Sequence, residues 1–360
     1  MSKPRLIAFY LPQFYPTKEN DEWWEKNFTE WTNVRRAKPL FSGHEQPRVP
    51  ADLGYYDLRD PEIREKQADL AREAGIEGFC YWHYWFAGRR LLDRVFREVV
   101  ESGKPDYPFC LCWANHSWYR KTWDSSHSDT LLMEQTYPGR QDYIAHFNAM
   151  LPAFKDKRYM TVDGKPIFGI FDSLGFGKDR FAEFKQIWNE LAKENGLPGF
   201  YFFAFTTKIG KINDIDGFGY SLTVVDYMGE VFRRTKTIPK YWRRFKRLFT
   251  RLPDKVYSYD YYAETVLKSF PSYPDVSPCL VPNFDHSPRS KDRGFVLSGD
   301  SPEKWSELCK AVFRLCKEKK EEENLVFIKS WNEWGEGNYL EPDTRYGKGY
   351  VCKTREAIGQ

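Results

Sequence analysis

Eight short apolar runs spaced along the chain most strongly limit what it can fold into. Each is rich in β-branched or aromatic residues and predicts a buried strand, and most are followed by a helical segment. Near-continuous apolar strands are typical of parallel sheets covered on both faces. Over 360 residues this alternation predicts an α/β fold, a (β/α)8 TIM barrel with extended loops at its C-terminal face. The predicted strands are 5–12, 76–85, 109–115, 166–172, 200–206, 221–227, 278–285 and 325–329.

The clearest predicted helix covers 61–74. Pro61 stands at its start, apolar residues recur at helical spacing, and Gly75 follows its end. The stretch from Gln13 to about Arg59 reads as irregular. Further helices are predicted at 90–102, 141–154, 180–195, 261–270 and 302–317.

Polar and aromatic residues collect where the predicted strands end. In a (β/α)8 barrel these ends form the face that carries the active site. We therefore predict substrate contacts there, although for any single aromatic residue core packing is nearly as common. The candidates from strand ends are Tyr10, His83, Trp85, Trp113, Asn115, Trp118, Tyr227, Asn283, Asp285, Trp331 and Asn332.

The loop after the last strand, 330–343, carries the strongest functional signal. It holds four carboxylates, among them Glu333 and Glu336, and two glycines that relax the backbone so that both glutamates can turn toward one cleft. Two carboxyls beside indole rings can differ in pKa, giving one acid and one base. Flat rings beside carboxylates also suit a sugar, which adds Trp334, Tyr339 and Glu341 as candidates. The alternative is a solvated acidic loop with packing tryptophans.

Composition narrows the class of partner. The net charge of +4 with 29% charged residues gives no global field for nucleic acid, so none is expected as a partner. Aromatic residues make up 18% of the chain, which favours stacking platforms in a cleft. We expect no signal peptide. No apolar run is long enough to span a membrane, and the seven cysteines lack close regular spacing. We expect a cytoplasmic protein with reduced thiols.

One basic stretch departs from the barrel pattern. Residues 233–255 contain ten Lys or Arg against one Asp, interleaved with aromatic residues. This pattern indicates a basic amphipathic helix that suits an anionic membrane surface, as a peripheral contact with the inner membrane, or an anionic glycan. The alternative is a solvated surface insertion. We therefore expect one catalytic domain over 1–360 with a basic insertion at about 231–256.

Other motifs are weak or missing. The sequence contains no H-E-x-x-H, C-x-x-C or G-x-S-x-G pattern, so we expect no metal and no cofactor. Gly175-Phe-Gly177 precedes a helix but lacks the full spacing of a phosphate-binding loop.

Several motifs together carry a family resemblance over nearly the whole chain. They include Tyr10-Leu-Pro-Gln-Phe14, Asn20-Asp-Glu-Trp-Trp24, Phe28-Thr-Glu-Trp-Thr-Asn33, Asn283-Phe-Asp285 with Ser287-Pro-Arg289, and Trp331-Asn-Glu-Trp334. The chain resembles WbsX-type proteins, a group labelled glycosyltransferase and related to glycoside hydrolase family 99. The resemblance implies a (β/α)8 barrel and a carbohydrate substrate, and its motifs add Gln13, Glu30 and Trp31 as candidate substrate contacts.

The resemblance also implies roles for the two glutamates. Family 99 enzymes are retaining, act within chains of α-mannosides, and use two glutamates three apart after the last strand. Glu333 would be the base that deprotonates the sugar 2-hydroxyl and so leads to a 1,2-anhydro sugar. Glu336 would be the acid, which requires a raised pKa. The chain departs from the family pattern at Tyr15, His116 and His286, which bears on the substrate more than on the reaction.

Three functions remain open from the sequence. The first is a retaining glycoside hydrolase acting on an α-linked polysaccharide or oligosaccharide. The second is a glycosyltransferase of O-antigen, capsule or lipopolysaccharide biosynthesis at the inner membrane face. The third is a non-catalytic glycan-binding barrel. The oligomeric state is not predicted.

Overall fold

The structure is a computed structural model that describes residues 2–120, 130–234, 255–316 and 318–359. Its centre is a parallel sheet of eight strands, each followed by helical segments, and this confirms the predicted (β/α)8 barrel. The strands are β1 (Arg5–Tyr10), β2 (Gly78–His83), β3 (Phe109–Trp113), β4 (Lys165–Ile170), β5 (Tyr201–Thr206), β6 (Leu222–Asp226), β7 (Ser277–Leu280) and β8 (Leu325–Ile328).

The sheet closes on itself in chain order. Each strand pairs in parallel with the next, β8 pairs with β1 from Arg5 opposite Leu325, and β4 pairs with β5 from Ile167 opposite Tyr201. Closure removes the exposed sheet edges that would otherwise invite pairing with another chain. All eight carboxyl ends therefore face the same end of the barrel.

The longer helices surround the barrel, and short helices lie in the loops at its C-terminal face. Their bounds are α1 (Lys18–Trp23), α2 (Glu30–Arg36), α3 (Pro61–Ala74), α4 (Arg94–Ser102), α5 (Arg140–Phe154), α6 (Ser173–Phe176), α7 (Lys178–Glu194), α8 (Ile212–Asp216), α9 (Met228–Arg234), α10 (Tyr259–Ser269), α11 (Ser287–Ser290), α12 (Pro302–Leu315) and α13 (Gly349–Ile358). Short strand pairs join Trp85–Phe86 to Arg89–Arg90, Trp118–Tyr119 to Leu131–Met133, Thr161–Val162 to β4, Lys255–Ser258 to Phe295–Ser298, and Asn332–Glu333 to Asn338–Tyr339.

Local signals explain the helix that the sequence predicts best. The Asp60 side chain accepts from the backbone N–H of Glu62, Pro61 occupies the first turn, and Gly75 ends α3 in the left-handed region at φ 78°. The region predicted to be irregular contains two short helices, α1 and α2, which begin after Thr17 and Thr29. Their six and seven residues are too few for a clear helical period, which explains why they were missed.

Side chains alternate between two environments along each strand. One set points into the barrel, where Phe9 stacks on Trp82 at 4.5 Å and lies 5.6 Å from Phe327 between ring centroids. The other set points outward under the helices, as Tyr10 does when its hydroxyl donates to Gln67 on α3. Only the inward set can reach a cleft at the mouth of the barrel.

The predicted basic insertion falls mostly outside the described residues. The structure describes the chain to Arg234 in α9 and resumes at Lys255, so residues 235–254 are not part of this account. Among the described helices, none has the length and apolar character that crossing a bilayer requires.

Candidate active site

A cleft of about 400 Å³ opens at the C-terminal face of the barrel. Its volume lies in the roughly 300–1,000 Å³ range of small-molecule sites. Trp82 and Phe171 form part of its apolar lining, in edge-to-face contact at 5.3 Å. One side is polar and is formed by Gln13, Glu30, His286, Arg289, Lys329, Glu333 and Glu336. Much of the remaining lining is aromatic.

The loop after β8 turns both glutamates toward this cleft. Glu333 ends a two-residue strand, and residues 334–336 form one 3₁₀ turn closed by Gly337 at φ 52°. A Cβ at Gly335 would lie 2.3 Å from Oε2 of Glu30 and 2.8 Å from Nε of Arg289. Glycine at this position therefore lets the ion pair between α2 and α11 approach the backbone of the loop after β8.

Arg289 connects three carboxylates across the polar side. Its Nη1 donates to Oε1 of Glu336 at 2.6 Å and lies 3.5 Å from Oε1 of Glu333. Its Nη2 donates to Oε2 of Glu30 at 2.9 Å, and Gln13 donates to the other oxygen of Glu30 at 2.7 Å. One guanidinium thus holds the two candidate catalytic carboxyls beside each other.

Lys329 adds positive charge on the Glu336 side, and His286 lies beside it as a neutral imidazole, because burial lowers the pKa of His286 to about 4. Nζ of Lys329 lies 3.6 Å from Oε2 of Glu336 and 3.9 Å from Oδ2 of Asp226. Nε2 of His286 lies 3.8 Å from Oε1 of Glu336. Burial disfavours a charged lysine, but Glu336 and Asp226 outweigh it and raise the pKa of Lys329, so the ammonium remains charged.

The two glutamates have opposite pKa shifts. Burial, reinforced by the negative charge of Glu336, raises the pKa of Glu333 to about 7. Burial also opposes ionisation of Glu336, but Lys329 and Arg289 outweigh it and lower the pKa of Glu336 to about 2. At and below about pH 7 the pair therefore holds a proton, and the opposite directions of the two shifts favour Glu333 over Glu336 as its carrier.

This arrangement differs from one expectation from the sequence. The acid role implied for Glu336 requires a raised pKa, whereas in the structure the raised pKa belongs to Glu333. The reason is the asymmetric placement of the cations, since Arg289 and Lys329 both lie closer to Glu336. Trp334 is buried and donates a hydrogen bond to Glu341.

Five of the predicted site residues line the cleft: Gln13, Glu30, Trp118, Glu333 and Glu336. They come from the segment after β1, from α2, from the hairpin after β3 and from the loop after β8. The barrel therefore brings together residues more than 300 positions apart in the chain.

Three asparagines predicted to contact substrate form hydrogen bonds with backbone groups instead. Asn115 accepts from the N–H of Asp172 and donates to its carbonyl, and Asn332 does the same for Leu11. Asn283 bridges the N–H and the carbonyl of Tyr339. Their amide groups are occupied by loop backbone, so we assign them to shaping the mouth of the barrel rather than to contacting sugar.

Six predicted aromatic or imidazole contacts lie on the outward side of the strands or under the loops. They do not line the cleft: they are Tyr10, His83, Trp85, Trp113, Tyr227 and Trp331. His83, for example, lies 2.8 Å from His146 of α5 through their Nε2 atoms. Side chains alternate between the two faces of a strand. A prediction that is wrong by one residue therefore selects a side chain that faces the helices instead of one that faces the cleft.

The remaining predicted contacts form a buried layer beneath the loop after β8. Trp31 lies 5.6 Å from Trp334, and Trp334 stacks on Tyr339 at 3.7 Å. Glu341 accepts hydrogen bonds from Trp334 at 2.6 Å, Gln67 at 2.6 Å and Tyr56 at 2.9 Å. This layer fixes the loop from below and has no free face for a ligand.

Asp285 belongs to the same supporting layer. His44 and Gln46 lie within hydrogen-bonding distance of its Oδ2, and its backbone N–H donates to the carbonyl of Glu336 at 2.7 Å. Burial alone would raise its pKa, but His44 and Arg48 lower the pKa of Asp285 to about 2. Asp285 therefore stays ionised and anchors the 3₁₀ turn.

The sequence analysis missed several cleft residues. Arg289 lay inside a quoted motif but was not chosen, and Trp82, Tyr84, Phe171 and Lys329 were passed over. The alternation of side chains along each strand could have identified them. Trp82 and Tyr84 flank His83, which points outward, so both point toward the barrel interior. Lys329 follows β8 at a position that also points inward. No group of three His, Cys, Asp or Glu within the described ranges is placed to hold a metal ion.

The fold and the sequence both match known proteins. The family model described as Glycosyltransferase WbsX matches residues 6–354. Two curated relatives, each described as uncharacterized protein WxcX of Xanthomonas campestris pv. campestris, are 34% identical over 98% of this chain. The chain spans about half the length of these relatives, 49% of each.

Solved structures show the same fold. A GH99 endo-alpha-mannosidase from Bacteroides thetaiotaomicron superposes over 100% of this chain and 98% of its own, with a TM-score of 0.59 and 15% identity. A glycoside hydrolase-like protein superposes over 99% of this chain and 94% of its own, with a TM-score of 0.59 and 14% identity. At such low identity the likeness concerns the barrel alone.

Proposed function

We propose that this chain, which belongs to the WbsX glycosyltransferase family, is a carbohydrate-active enzyme that cleaves an α-linked glycan with Glu333 and Glu336. The observation that carries the proposal is the position of both carboxyls on one cleft, in contact with the same guanidinium of Arg289. Cleavage of a glycosidic bond needs a proton donor for the leaving oxygen and an ionised carboxylate. The pair supplies both near neutral pH.

The proposed reaction is retaining and passes through a 1,2-anhydro sugar. The ionised carboxylate takes the proton of the 2-hydroxyl, the 2-oxygen attacks C1, and the other carboxyl protonates the leaving oxygen. Water then opens the anhydro sugar, and the pair returns to its starting protonation. The α-mannoside of the GH99 neighbours is the first substrate class to test.

Either Glu333 or Glu336 can be assigned as the acid that protonates the leaving oxygen. Substrates whose leaving groups differ in pKa distinguish the two assignments. The charges around the free carboxyls favour Glu333 as donor, whereas the family resemblance implies Glu336. An aryl leaving group of low pKa departs without protonation, so it rescues only the variant that lacks the acid. Rescue of Glu333→Gln supports the first assignment, and rescue of Glu336→Gln supports the second.

The family description favours one alternative, sugar transfer instead of hydrolysis. In that case the same cleft would accept a nucleotide- or lipid-linked sugar donor, and the ionised carboxylate would activate an acceptor hydroxyl.

Product analysis decides between hydrolysis and transfer. Incubation with α-linked oligosaccharides in ¹⁸O-labelled water places the label in the product of a hydrolase, and a transferase leaves it out. If wild-type protein yields no product from either substrate type, the enzymatic proposal is wrong.

A further inference from the structure

Ser330 places a buried hydroxyl group next to the glutamate pair, and the proposed reaction does not use it. The residue follows β8 and Lys329, has no exposed surface, and does not line the cleft. Its Oγ lies 3.3 Å from Oε2 of Glu333 and 3.1 Å from the carbonyl oxygen of Asn338. One oxygen of Glu333 therefore contacts a group inside the protein.

The backbone around Ser330 is fixed on both sides. The N–H groups of the residues before and after it donate to the carbonyls of Leu280 on β7 and Phe9 on β1, at 2.9 Å and 2.7 Å. The chain then forms a hairpin in which Glu333 pairs with Asn338. Because both partners of the hydroxyl lie on this hairpin, the contact depends on backbone geometry that neighbouring strands hold in place.

The hydroxyl group has one proton and two oxygen neighbours. A carbonyl oxygen can only accept, so when the hydroxyl donates to Asn338, the 3.3 Å contact needs a proton on Oε2 of Glu333. When Glu333 is ionised, the hydroxyl proton can turn to Oε2 instead. Ser330 can therefore accept from the neutral carboxyl and donate to the carboxylate.

The other oxygen of Glu333 has a different neighbour. Oε1 lies 3.5 Å from Nη1 of Arg289, and a guanidinium group has donors and no acceptor. A proton on Oε1 would compete with that cation, whereas a proton on Oε2 has the Ser330 oxygen as its acceptor. The two neighbours therefore assign the proton of a neutral Glu333 to Oε2.

The carboxyl of Glu336 has neighbours of another kind. Within the described part of the chain, its side-chain contacts are Nη1 of Arg289 at 2.6 Å, Nζ of Lys329 at 3.6 Å and Nε2 of His286 at 3.8 Å. The two cations only donate, and the imidazole nitrogen is too distant for a hydrogen bond. Hydrogen bonding by itself therefore favours Glu333 as the carrier of the proton.

Charged groups around Glu333 act on the same proton. Burial and the charge of Glu336 raise the pKa of Glu333 to about 7, and Lys329 and Arg289 oppose this shift. The titratable and charged groups that face Glu333 come from α2, the residue after β2, α11 and the loop after β8: Glu30, Tyr84, Arg289, Lys329 and Glu336. Removing the Ser330 hydroxyl leaves all of these groups in the chain, so the change measures the hydroxyl itself.

We propose that Ser330 is a positioning residue that holds the proton of the carboxyl pair on Oε2 of Glu333 and donates to the same oxygen once that proton has left. Its importance for catalysis rests on the proposed function of Glu333, whereas the hydrogen bond itself does not. A hydrogen bond to an ionised acceptor is stronger than one between neutral groups. Ser330 therefore stabilises the carboxylate more than the neutral acid, and its removal should raise the pKa of Glu333.

Titration of the carboxyls without substrate tests this assignment. Glutamate labelled with ¹³C at the side-chain carboxyl is incorporated into the protein and followed by NMR. The signals of the pair are identified by their loss in Glu333→Gln and in Glu336→Gln. In wild-type protein at pH 6 we expect Glu333 to be protonated and Glu336 to be ionised.

Three variants then isolate the hydroxyl. Ser330→Ala should move the titration of Glu333 upward by about 0.5–1 pH unit, the difference between a charged and a neutral hydrogen bond. Ser330→Thr keeps a hydroxyl group and should titrate like wild-type protein. Ser306→Ala is the control, because the buried Ser306 hydroxyl on α12 has no hydrogen-bond partner among the described residues. It should leave the titration unchanged. The alkaline limb of kcat/KM should move with the Glu333 signal.

Three results would overturn the proposal: the wild-type proton at pH 6 lies on Glu336, Ser330→Ala titrates like wild-type protein, or its titration moves to lower pH. The first is measured on the unaltered protein, so it decides even if Ser330→Ala does not fold. Because no substrate is used, this proposal and the enzymatic proposal fail separately. An upward shift in Ser330→Ala without turnover of any glycan by wild-type protein would support the hydrogen bond alone. Turnover with an unchanged Glu333 titration would support the enzyme and overturn the role of Ser330.

Discussion

Arg289 donates a hydrogen bond of 2.6 Å from Nη1 to Oε1 of Glu336. The same guanidinium contacts Glu30 and Glu333, and its side chain is only 9% exposed. Removing it takes one counter-charge away from three buried carboxylates, Glu30, Glu333 and Glu336. We expect Arg289→Met to lower the free energy of unfolding by about 3–5 kcal/mol and to abolish activity, because an uncompensated buried charge is costly.

Urea denaturation at pH 7 checks this prediction. Arg345→Met is a matched control, because Arg345 pairs with Glu45 on the surface and should contribute less than about 1 kcal/mol. Equal losses in the two variants would mean that the Arg289 network does not stabilise the site.

Activity should depend on the proton that the glutamate pair shares. The pKa of Glu333 is about 7, so below that pH the pair holds one proton and above it both carboxyls ionise. We therefore expect kcat/KM to fall about tenfold per pH unit above pH 7, as the donor is lost. Because the two groups interact, the profile reports the pair and not one residue. A profile that stays flat to pH 9 would contradict this assignment.

The same shift predicts an effect on stability. Between about pH 4.5 and pH 7 the unfolded chain releases the Glu333 proton while the folded chain keeps it. The raised pKa of Glu333 therefore lowers the free energy of unfolding progressively as the pH rises through this range, and the whole loss is present above pH 7. Glu333→Gln should therefore stabilise the protein at pH 8 by on the order of 1–3 kcal/mol and have little effect at pH 4. Thermal melts at the two pH values test this, with exposed Glu183→Gln as control. Equal stabilisation at both pH values would show that ionisation is not the cause.

Gly335 should tolerate no side chain. A methyl group there would meet Glu30 and Arg289 at 2.3 Å and 2.8 Å and would push the catalytic loop away from α2. We expect Gly335→Ala to cost about 1–3 kcal/mol of stability and to lower activity strongly. The control is Gly210→Ala, where nothing lies within 4 Å of the added carbon. An active, fully stable Gly335→Ala protein would show that this close approach is not needed.

The barrel could be predicted because its signal is distributed along the chain. Each of the eight apolar strands and each of the longer helices has its own recognisable hydrophobic pattern in the sequence. For example, β8 ends within one residue of its predicted end. Helices α1 and α2 were not predictable in this way, because they are short and depend on contacts made by the folded loops. Family resemblance supplied Gln13 and Glu30, and the structure places both on the cleft.

The candidate site was predicted only in part, for a geometric reason. The end of a strand can be read from sequence, but which of two adjacent residues faces the barrel mouth depends on parity, as His83 and Trp82 show. Arg289 was missed because its role depends on three carboxylates that only the fold brings together. The pKa order of Glu333 and Glu336 likewise depends on the position of Lys329 relative to each, which spacing along the chain does not give.

The most direct test of the catalytic pair is the turnover of α-linked oligosaccharides by wild-type protein, Glu333→Gln, Glu336→Gln and the double variant. We predict that each single change lowers kcat/KM by about 10²–10⁴-fold. The double variant should be little slower than the slower single variant, because the two carboxyls act as one unit. If either single variant keeps the wild-type rate on a substrate that wild-type protein turns over, the paired mechanism is wrong.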